Sequence, residues 1–185
     1  MGRAFFVQNM KPKGESAVKL AVVGVTGEVG RMMVRVLQER NVRPKKVAFY
    51  ASARSAGSTM AFNGEEHEVR ELTRKVMKEG YDYVLFSAGA SVSREYAPVA
   101  AEAGSVVIDN SSAFRMDGDV PLVVPEINGD LLKGYRRGIV ANPNCSTIQM
   151  VLGLYGVHKR FGIRSIVVST YQAVSGAGKN GMDEL

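Results

Sequence analysis

The stretch KLAVVGVTGEVG at 19–30 constrains the chain more than any other. An apolar run ends in Gly24, glycines recur at 27 and 30, and Val29, Met32, Met33, Val36 and Leu37 then follow at helical spacing. An uninterrupted apolar run fits a strand buried on both faces, so the segment is predicted as strand, tight turn and helix within a parallel sheet. The pattern continues downstream. Lys46 to Tyr50 reads as a second strand, 59–72 as two short strands around the hairpin pair Asn63-Gly64, and 73–79 as a short helix. Strand YDYVLFSAG at 81–89, a helix over 91–103 closed by Gly104, and strand SVVID at 105–109 complete the alternation. Elements in this order predict the α/β class: a doubly wound, mostly parallel sheet whose ligands lie outside the carboxyl ends of its strands.

The loops at those ends, GVTGEVG, ASARSAG, SAGAS and DNSSAFRM, are rich in Gly, Ser, Ala and Asn, as close backbone approach to a ligand requires. After GIVANPN at 138–144 the pattern changes. Thr147 to Phe161 is predicted as a helix and Ile163 to Val174 as a β-rich run, so a second domain is expected to begin near residue 142. The chain then divides into a flexible arm over 1–18, a ligand-binding domain over 19–141 and the opening of an α+β domain over 142–185, which 185 residues accommodate.

Charge narrows the ligand class. Lys and Arg number 24 against 18 acidic residues, a net charge of +6. The positive residues, Arg3, Lys19, Arg54, Arg115, Arg136 and Lys159 among them, form no block and no interleaved aromatic stripe. A small anionic ligand is therefore expected, and a nucleic-acid face is not. No apolar run reaches the roughly 18 to 20 residues of a membrane span, and AFFV near the start is shorter than a secretory core. Neither membrane nor metal is expected as a partner. A single cysteine excludes an internal disulfide framework and suits a reducing compartment, the cytoplasm by default.

Gly24, Gly27 and Gly30 follow a strand and open a helix, the setting a dinucleotide-binding turn needs. Glycines let the backbone approach a pyrophosphate, and free N–H groups at the helix start attract its charge. An ordinary glycine-rich turn between strand and helix has the same pattern. Cofactor choice is read at the end of the second strand, where NAD-selective sites place a carboxylate on the ribose 2′-hydroxyl. Here the strand runs into Tyr50-Ala51-Ser52, with Arg54 and Ser55 next, so NADP is expected rather than NAD. A solvated loop arginine is the alternative.

Pro143-Asn144-Cys145-Ser146-Thr147 stands where an extended segment gives way to a helical one, which puts Cys145 at a helix start. Orphan N–H groups and the positive end of the helix dipole favour the thiolate, the nucleophilic form. A lone cysteine is also compatible with a small buried side chain, but its neighbours Asn144, Ser146 and Thr147 are polar. A thiolate beside a nicotinamide suggests a thiohemiacetal that is oxidised to a thioester and released to an acceptor; with phosphate as acceptor the product is an acyl phosphate. Arg115 is a candidate for the phosphate, or else an ion-pair partner of Asp117 or Asp119. Gln172 supplies an amide at the end of the β-rich run, and Ser175-Gly176 opens a further small-residue loop. His67 and His158 are the only histidines, and neither is placed as a catalytic base.

GVTGEVG, ASARSAG, SAGAS, DNSSAFRMD with VPLVVPEIN, NPNCSTIQ and TYQAVSGAG, in this order over 19–185, resemble the aspartate-β-semialdehyde dehydrogenases. The resemblance implies a Rossmann NADP-binding domain, a second domain like that of glyceraldehyde-3-phosphate dehydrogenase, and a dimer or tetramer. It implies reversible NADPH-dependent reduction of L-aspartyl-4-phosphate to L-aspartate-4-semialdehyde with release of phosphate, on the way to lysine, methionine and threonine. By the same resemblance Cys145 carries the acyl thioester with Asn144 beside it, and Gln172 orients substrate. Thr26, Gly27, Glu28, Val29, Arg54, Ser55, Ser175 and Gly176 would touch NADP, and Arg115 would bind phosphate. The related N-acetyl-γ-glutamyl-phosphate reductases typically have Gly before the cysteine and Tyr after it, unlike Asn144-Cys145-Ser146. Family members exceed 300 residues, and their acid/base histidine and substrate-carboxylate arginine come from beyond the matched part. The resemblance therefore implies an incomplete, inactive piece, and a non-catalytic NADP-binding module is the alternative.

Overall fold

The computed structural model describes residues 18–135, 138–174 and 184. Ser175, Gly176 and all of the arm before Val18 lie outside the described residues. Strand β1 (Lys19–Val23) is buried from Leu20 onward and leads through the glycine turn into helix α1 (Glu28–Glu39). Strand β2 (Lys46–Ala51) ends in a single 3-10 turn at Ala53–Ser55. The hairpin expected around Asn63-Gly64 forms from β3 (Thr59–Phe62) and β4 (Glu65–Glu71), both turn residues at positive φ, as a type I′ connection requires. One-turn helix α2 (Arg74–Met77), strand β5 (Tyr83–Phe86), helix α3 (Ala90–Glu102) and strand β6 (Val106–Asp109) follow. The chain then forms a one-turn helix α4 (Pro125–Asn128), a 3-10 turn at Gly129–Leu132, strand β7 (Gly138–Ala141) and helix α5 (Cys145–Phe161).

The strands make one sheet in the order β3-β4-β2-β1-β5-β6-β7. All pairs are parallel except the β3–β4 hairpin. From β1 the chain builds outward through β2 and the hairpin, then crosses back to lay β5 on the other side of β1. That reversal is the topological switch point of a doubly wound fold, where two neighbouring strand ends send their loops apart and leave a crevice.

Strand alternation sorts the core. Ala21, Val23, Tyr50, Val84, Phe86 and Val107 face α2 and α3 in one apolar cluster. Val22, Phe49 and Val69 face the other way, against Val34 of α1 and Phe62 of the hairpin. Each fully buried side chain of this size contributes roughly 1.5–3 kcal/mol.

One sequence expectation holds in part and one fails. Of the apolar residues at helical spacing on α1, Met33 and Leu37 are half-buried, Leu37 against the Val22 and Phe49 cluster, whereas Val29, Met32 and Val36 stand 49%, 52% and 41% exposed, and Gly30 and Val34 are buried. Gly30 rests on the carbonyl of Gly24, and this contact turns the helix so that its glycine side meets β1. The β-rich run expected over Ile163 to Val174 forms no strand among the described residues; Val167 and Tyr171 are almost fully exposed. A strand needs a partner for its N–H and C=O groups, and no described strand pairs with this stretch.

A polar network anchors β2 beneath the crevice. The Glu79 carboxylate accepts from Arg70 Nη2 (2.8 Å), the Tyr81 hydroxyl (3.0 Å) and Lys46 Nζ (3.2 Å). Tyr81 and Tyr50 share a hydroxyl hydrogen bond of 2.5 Å; because Tyr81 donates to Glu79, Tyr50 is the donor to Tyr81. Arg70, with help from Tyr81 and Lys46, holds the Glu79 carboxyl down at about 2. A depressed carboxyl stabilises the fold above its unfolded value, near 4.5, and that contribution vanishes as pH falls toward 2. With the side chain 28% exposed, Glu79→Gln should cost on the order of 2 kcal/mol at pH 7. Urea midpoints measured from pH 7 to pH 2 should converge for the two proteins, and a constant gap would disprove the assignment.

Candidate active site

The parallel registers align the strand ends. Val23 pairs with Tyr50 and with Phe86, Phe86 with Asp109, and Asp109 with Ala141. The next residues, Gly24, Ala51, Ser87, Asn110 and Asn142, therefore stand side by side along one rim. At about 4.8 Å per strand, the step from Gly24 across β5 and β6 to Asn142 spans roughly 14 Å.

At the switch point lies a cleft of about 560 Å³ whose lining includes Gly24, Thr26, Gly27, Ser52, Ala53 and Ser87, together with Glu71, Leu72, Glu95 and Tyr96. The three glycines there have different reasons. Gly24 has φ +81°, and a Cβ on it would run into the Ser87 carbonyl oxygen; a Cβ on Gly30 would run into the Gly24 carbonyl oxygen. Both are fixed by packing. Gly27 is the N-cap of α1, and its Cβ would meet only the Gly24 oxygen, at 3.5 Å, an ordinary contact. Its bareness serves whatever enters the cleft. Arg31 Nε donates to the Thr26 carbonyl (3.1 Å) and holds the turn, and Gly27 offers no side-chain cap, so the first-turn N–H groups of α1 remain open to an anion. Glu28 and Val29 are exposed at that helix start. A dinucleotide fits this cradle, since bare glycine backbone and uncapped N–H groups suit a pyrophosphate.

Arg54 and Ser55 lie on the 3-10 turn just past the cleft lining, Arg54 exposed. The sequence reading weighed only the end of β2 and missed Glu71, which pairs with Ala51 and brings a carboxylate to the same rim. Parallel pairing of β4 with β2 was the signal needed, and a hairpin pattern alone does not supply it.

Cys145 is the first residue of α5 and is exposed. The helix begins there because Asn144, in extended conformation, turns its Oδ1 onto the Thr147 N–H (3.1 Å), an N-cap bond. Arg115 makes neither of the ion pairs weighed for it. Its Nε donates to the Asn142 carbonyl (2.9 Å) and its Nη2 to the Asn110 carbonyl (3.1 Å), leaving Nη1 without a hydrogen bond among the described residues. Asn142 Nδ2 donates to Asn110 Oδ1 (2.7 Å). Beneath them Asp109, fully buried, accepts from Ser93 Oγ (2.7 Å), Ser111 Oγ (2.7 Å) and the Ser111 N–H (3.1 Å). Asp-Asn-Ser-Ser at a strand end carries an Asx-turn signal that could have exposed this hub in the sequence.

One expected site residue, Gln172, is not gathered here, and the two histidines, neither expected as a base, lie elsewhere. Gln172 is exposed, outside regular structure, and makes no hydrogen bond to Asn144 or Cys145. His158 Nδ1 accepts from the Ile163 N–H (3.2 Å) at the end of α5, and His67 packs edge-on to Phe49 and Phe62.

Residues 19–135 match the family described as semialdehyde dehydrogenase, NAD binding domain. The chain belongs to the semialdehyde dehydrogenases. Residues 154–185 match the dimerisation domain of the same family. Aspartate-semialdehyde dehydrogenase of Aquifex aeolicus is 53% identical over 168 residues, covering 90% of this chain and 49% of the relative. The crystal structure of aspartate semialdehyde dehydrogenase II from Vibrio cholerae complexed with ASA superposes with a TM-score of 0.84 at 47% identity, over 92% of this chain and 51% of that one. The Candida albicans enzyme with NADP gives 0.64 at 27% identity, over 79% and 48%. This semialdehyde dehydrogenase chain thus spans about half the length of the relatives it matches, and it carries the family's nicotinamide-dinucleotide domain on a Rossmann-type sheet.

Proposed function

We propose that this chain is the cofactor- and thiol-bearing part of an NADP-dependent aspartate-semialdehyde dehydrogenase, which reduces aspartyl phosphate to the semialdehyde and phosphate. One observation supports it above the others: an exposed thiol opens α5 three residues past the rim that carries the glycine cradle, with Arg115 tied to the carbonyls of Asn110 and Asn142 on that rim. The Cys145 thiolate attacks the acyl carbon; a carbon–sulfur bond forms, the carbon–oxygen bond to phosphate breaks, and phosphate leaves toward the Arg115 guanidinium. When bound, the nicotinamide supplies the hydride that reduces the thioester carbon. Collapse of the resulting thiohemiacetal breaks the carbon–sulfur bond, returning the thiolate and releasing the aldehyde. Asn144 caps the helix under the thiol, and Gln172 orients substrate.

Because the chain covers half its relatives' length, turnover belongs to the full-length assembly, a homodimer or tetramer, and these 185 residues alone are expected to bind cofactor without reacting. A lone exposed thiol suits the cytoplasm. The same assembly would feed lysine, methionine and threonine synthesis. The test supplies the rest of a relative's chain and follows NADPH consumption with aspartyl phosphate. Cofactor binding without turnover after such complementation would point instead to a non-catalytic module.

Arg54 carries the preference for NADP. Arg54→Ala should weaken NADP binding by about tenfold or more, the scale of one charged hydrogen bond, and leave NAD binding unchanged. Titration by fluorescence decides; equal losses for both cofactors would shift the assignment to the backbone cradle.

A further inference from the structure

We propose that Asn142 and Asn110 act as one positioning unit for Cys145, tying the nucleophile to the loop that carries Arg115. This rests on the assignment of Cys145 as nucleophile.

Cys145 leaves the sheet only three residues after Asn142, the last point at which β7 is tied to its neighbour. The Asn142 N–H continues the β6–β7 ladder onto the Asp109 carbonyl (2.8 Å), and there the ladder stops. Beyond it Pro143, with its φ fixed by the ring, and the N-cap Asn144 carry the thiol outward. Backbone pairing fixes where Asn142 sits but leaves the next peptide's direction free. The remaining groups of Asn142 set that direction. Its carbonyl is held by Arg115 Nε, and its side-chain amide donates to Asn110 Oδ1. Asn110 is in turn fixed by its own N–H on the Phe86 carbonyl and by Arg115 Nη2 on its carbonyl, and Asp109, immediately before it, is locked by Ser93 and Ser111. The loop after β7 thus leans on the loop after β6 through one guanidinium and one amide pair. With its acceptor oxygen engaged, the Asn110 amide nitrogen keeps both N–H groups without a partner among the described residues.

The chain's single cysteine makes the test direct, because cysteine labelled with ¹³C at Cβ gives one resonance. In the 185-residue chain the parent should show one narrow signal. Asn142→Ala and Asn110→Ala should each split or broaden it, and the double variant should look like either single one, since both remove the same bond. Asn110→Asp keeps the acceptor oxygen and should restore the parent signal. Melting midpoints should stay within about 3 °C of the parent, which separates loss of position from loss of fold. Asn110→Ala keeps both Arg115 contacts, so it stays informative if Asn142→Ala fails to fold. An unchanged resonance in Asn110→Ala, or an Asn110→Asp spectrum as disturbed as the alanine variant, would overturn the proposal, whether or not the assembled enzyme turns over.

Discussion

Cys145→Ser in the full-length assembly should lower NADPH-dependent turnover of the acyl phosphate by at least about 10⁴-fold, the scale seen when a covalent nucleophile is removed. Cofactor affinity should hardly change, since Cys145 follows Asn142, which stands roughly 14 Å along the rim from Gly24, and distant sites act independently. A serine hydroxyl at the start of α5 keeps the helix and its Asn144 cap, so loss of rate could not be ascribed to unfolding. Stopped-flow turnover at saturating substrate is the measurement, and a variant retaining even a hundredth of parental rate would exclude a thioester at this residue. In the 185-residue chain itself, iodoacetamide should add a single carbamidomethyl group, because the only cysteine is exposed.

The glycine turn should divide into two kinds of position. Gly24→Ala and Gly30→Ala should each destabilise the fold by about 3 kcal/mol or more, the first through its left-handed backbone and the Ser87 carbonyl, the second through the Gly24 carbonyl. In a chain of this size that lowers the melting midpoint by about 10 °C. Gly27→Ala should leave stability within about 1 kcal/mol, since its Cβ meets only an ordinary contact, yet weaken NADP binding at least about tenfold by standing where the pyrophosphate belongs. Calorimetric melting and cofactor titration on the same three proteins separate the two effects. A Gly27→Ala chain that binds NADP as the parent does would move the dinucleotide away from this turn.

How much of this was legible in the chain depends on the range of the interactions. The β1–turn–α1 unit is local: an apolar run, spaced glycines and a following helix specify it, and the structure adds only which glycine does what. The hairpin at Asn63-Gly64 and the helix start at Asn144-Cys145 were readable for the same reason, since turn and cap chemistry act over two to four residues. The helical period of α1 was legible for Met33 and Leu37 but not for Val29, Met32 and Val36, because period alone does not weigh a close approach like that of Gly30 to the Gly24 carbonyl. Ile163 to Val174 has strand composition, but composition supplies no partner, and a strand exists only as part of a pair. At the site, Gly27 and Cys145 could be nominated one by one. The Asn110–Asn142 bond joins residues 32 apart in sequence, and Glu71 reaches the cofactor rim only through β4's pairing with β2. Contacts of that kind exist only once the sheet order is known.

The seven-stranded sheet gives the two halves of the site unequal mechanical support. The cradle hangs from β1, which has a hydrogen-bonded strand on each side, whereas the thiol follows β7, which among the described residues has β6 on one side and on the other only a bridge between Ala141 and Leu122. Opening fluctuations start where fewest bonds must break, so they begin at the thiol end and travel inward. Mild heat or denaturant would then disarm the nucleophile while the dinucleotide fold still stands, and loss of reactivity would run ahead of loss of cofactor affinity.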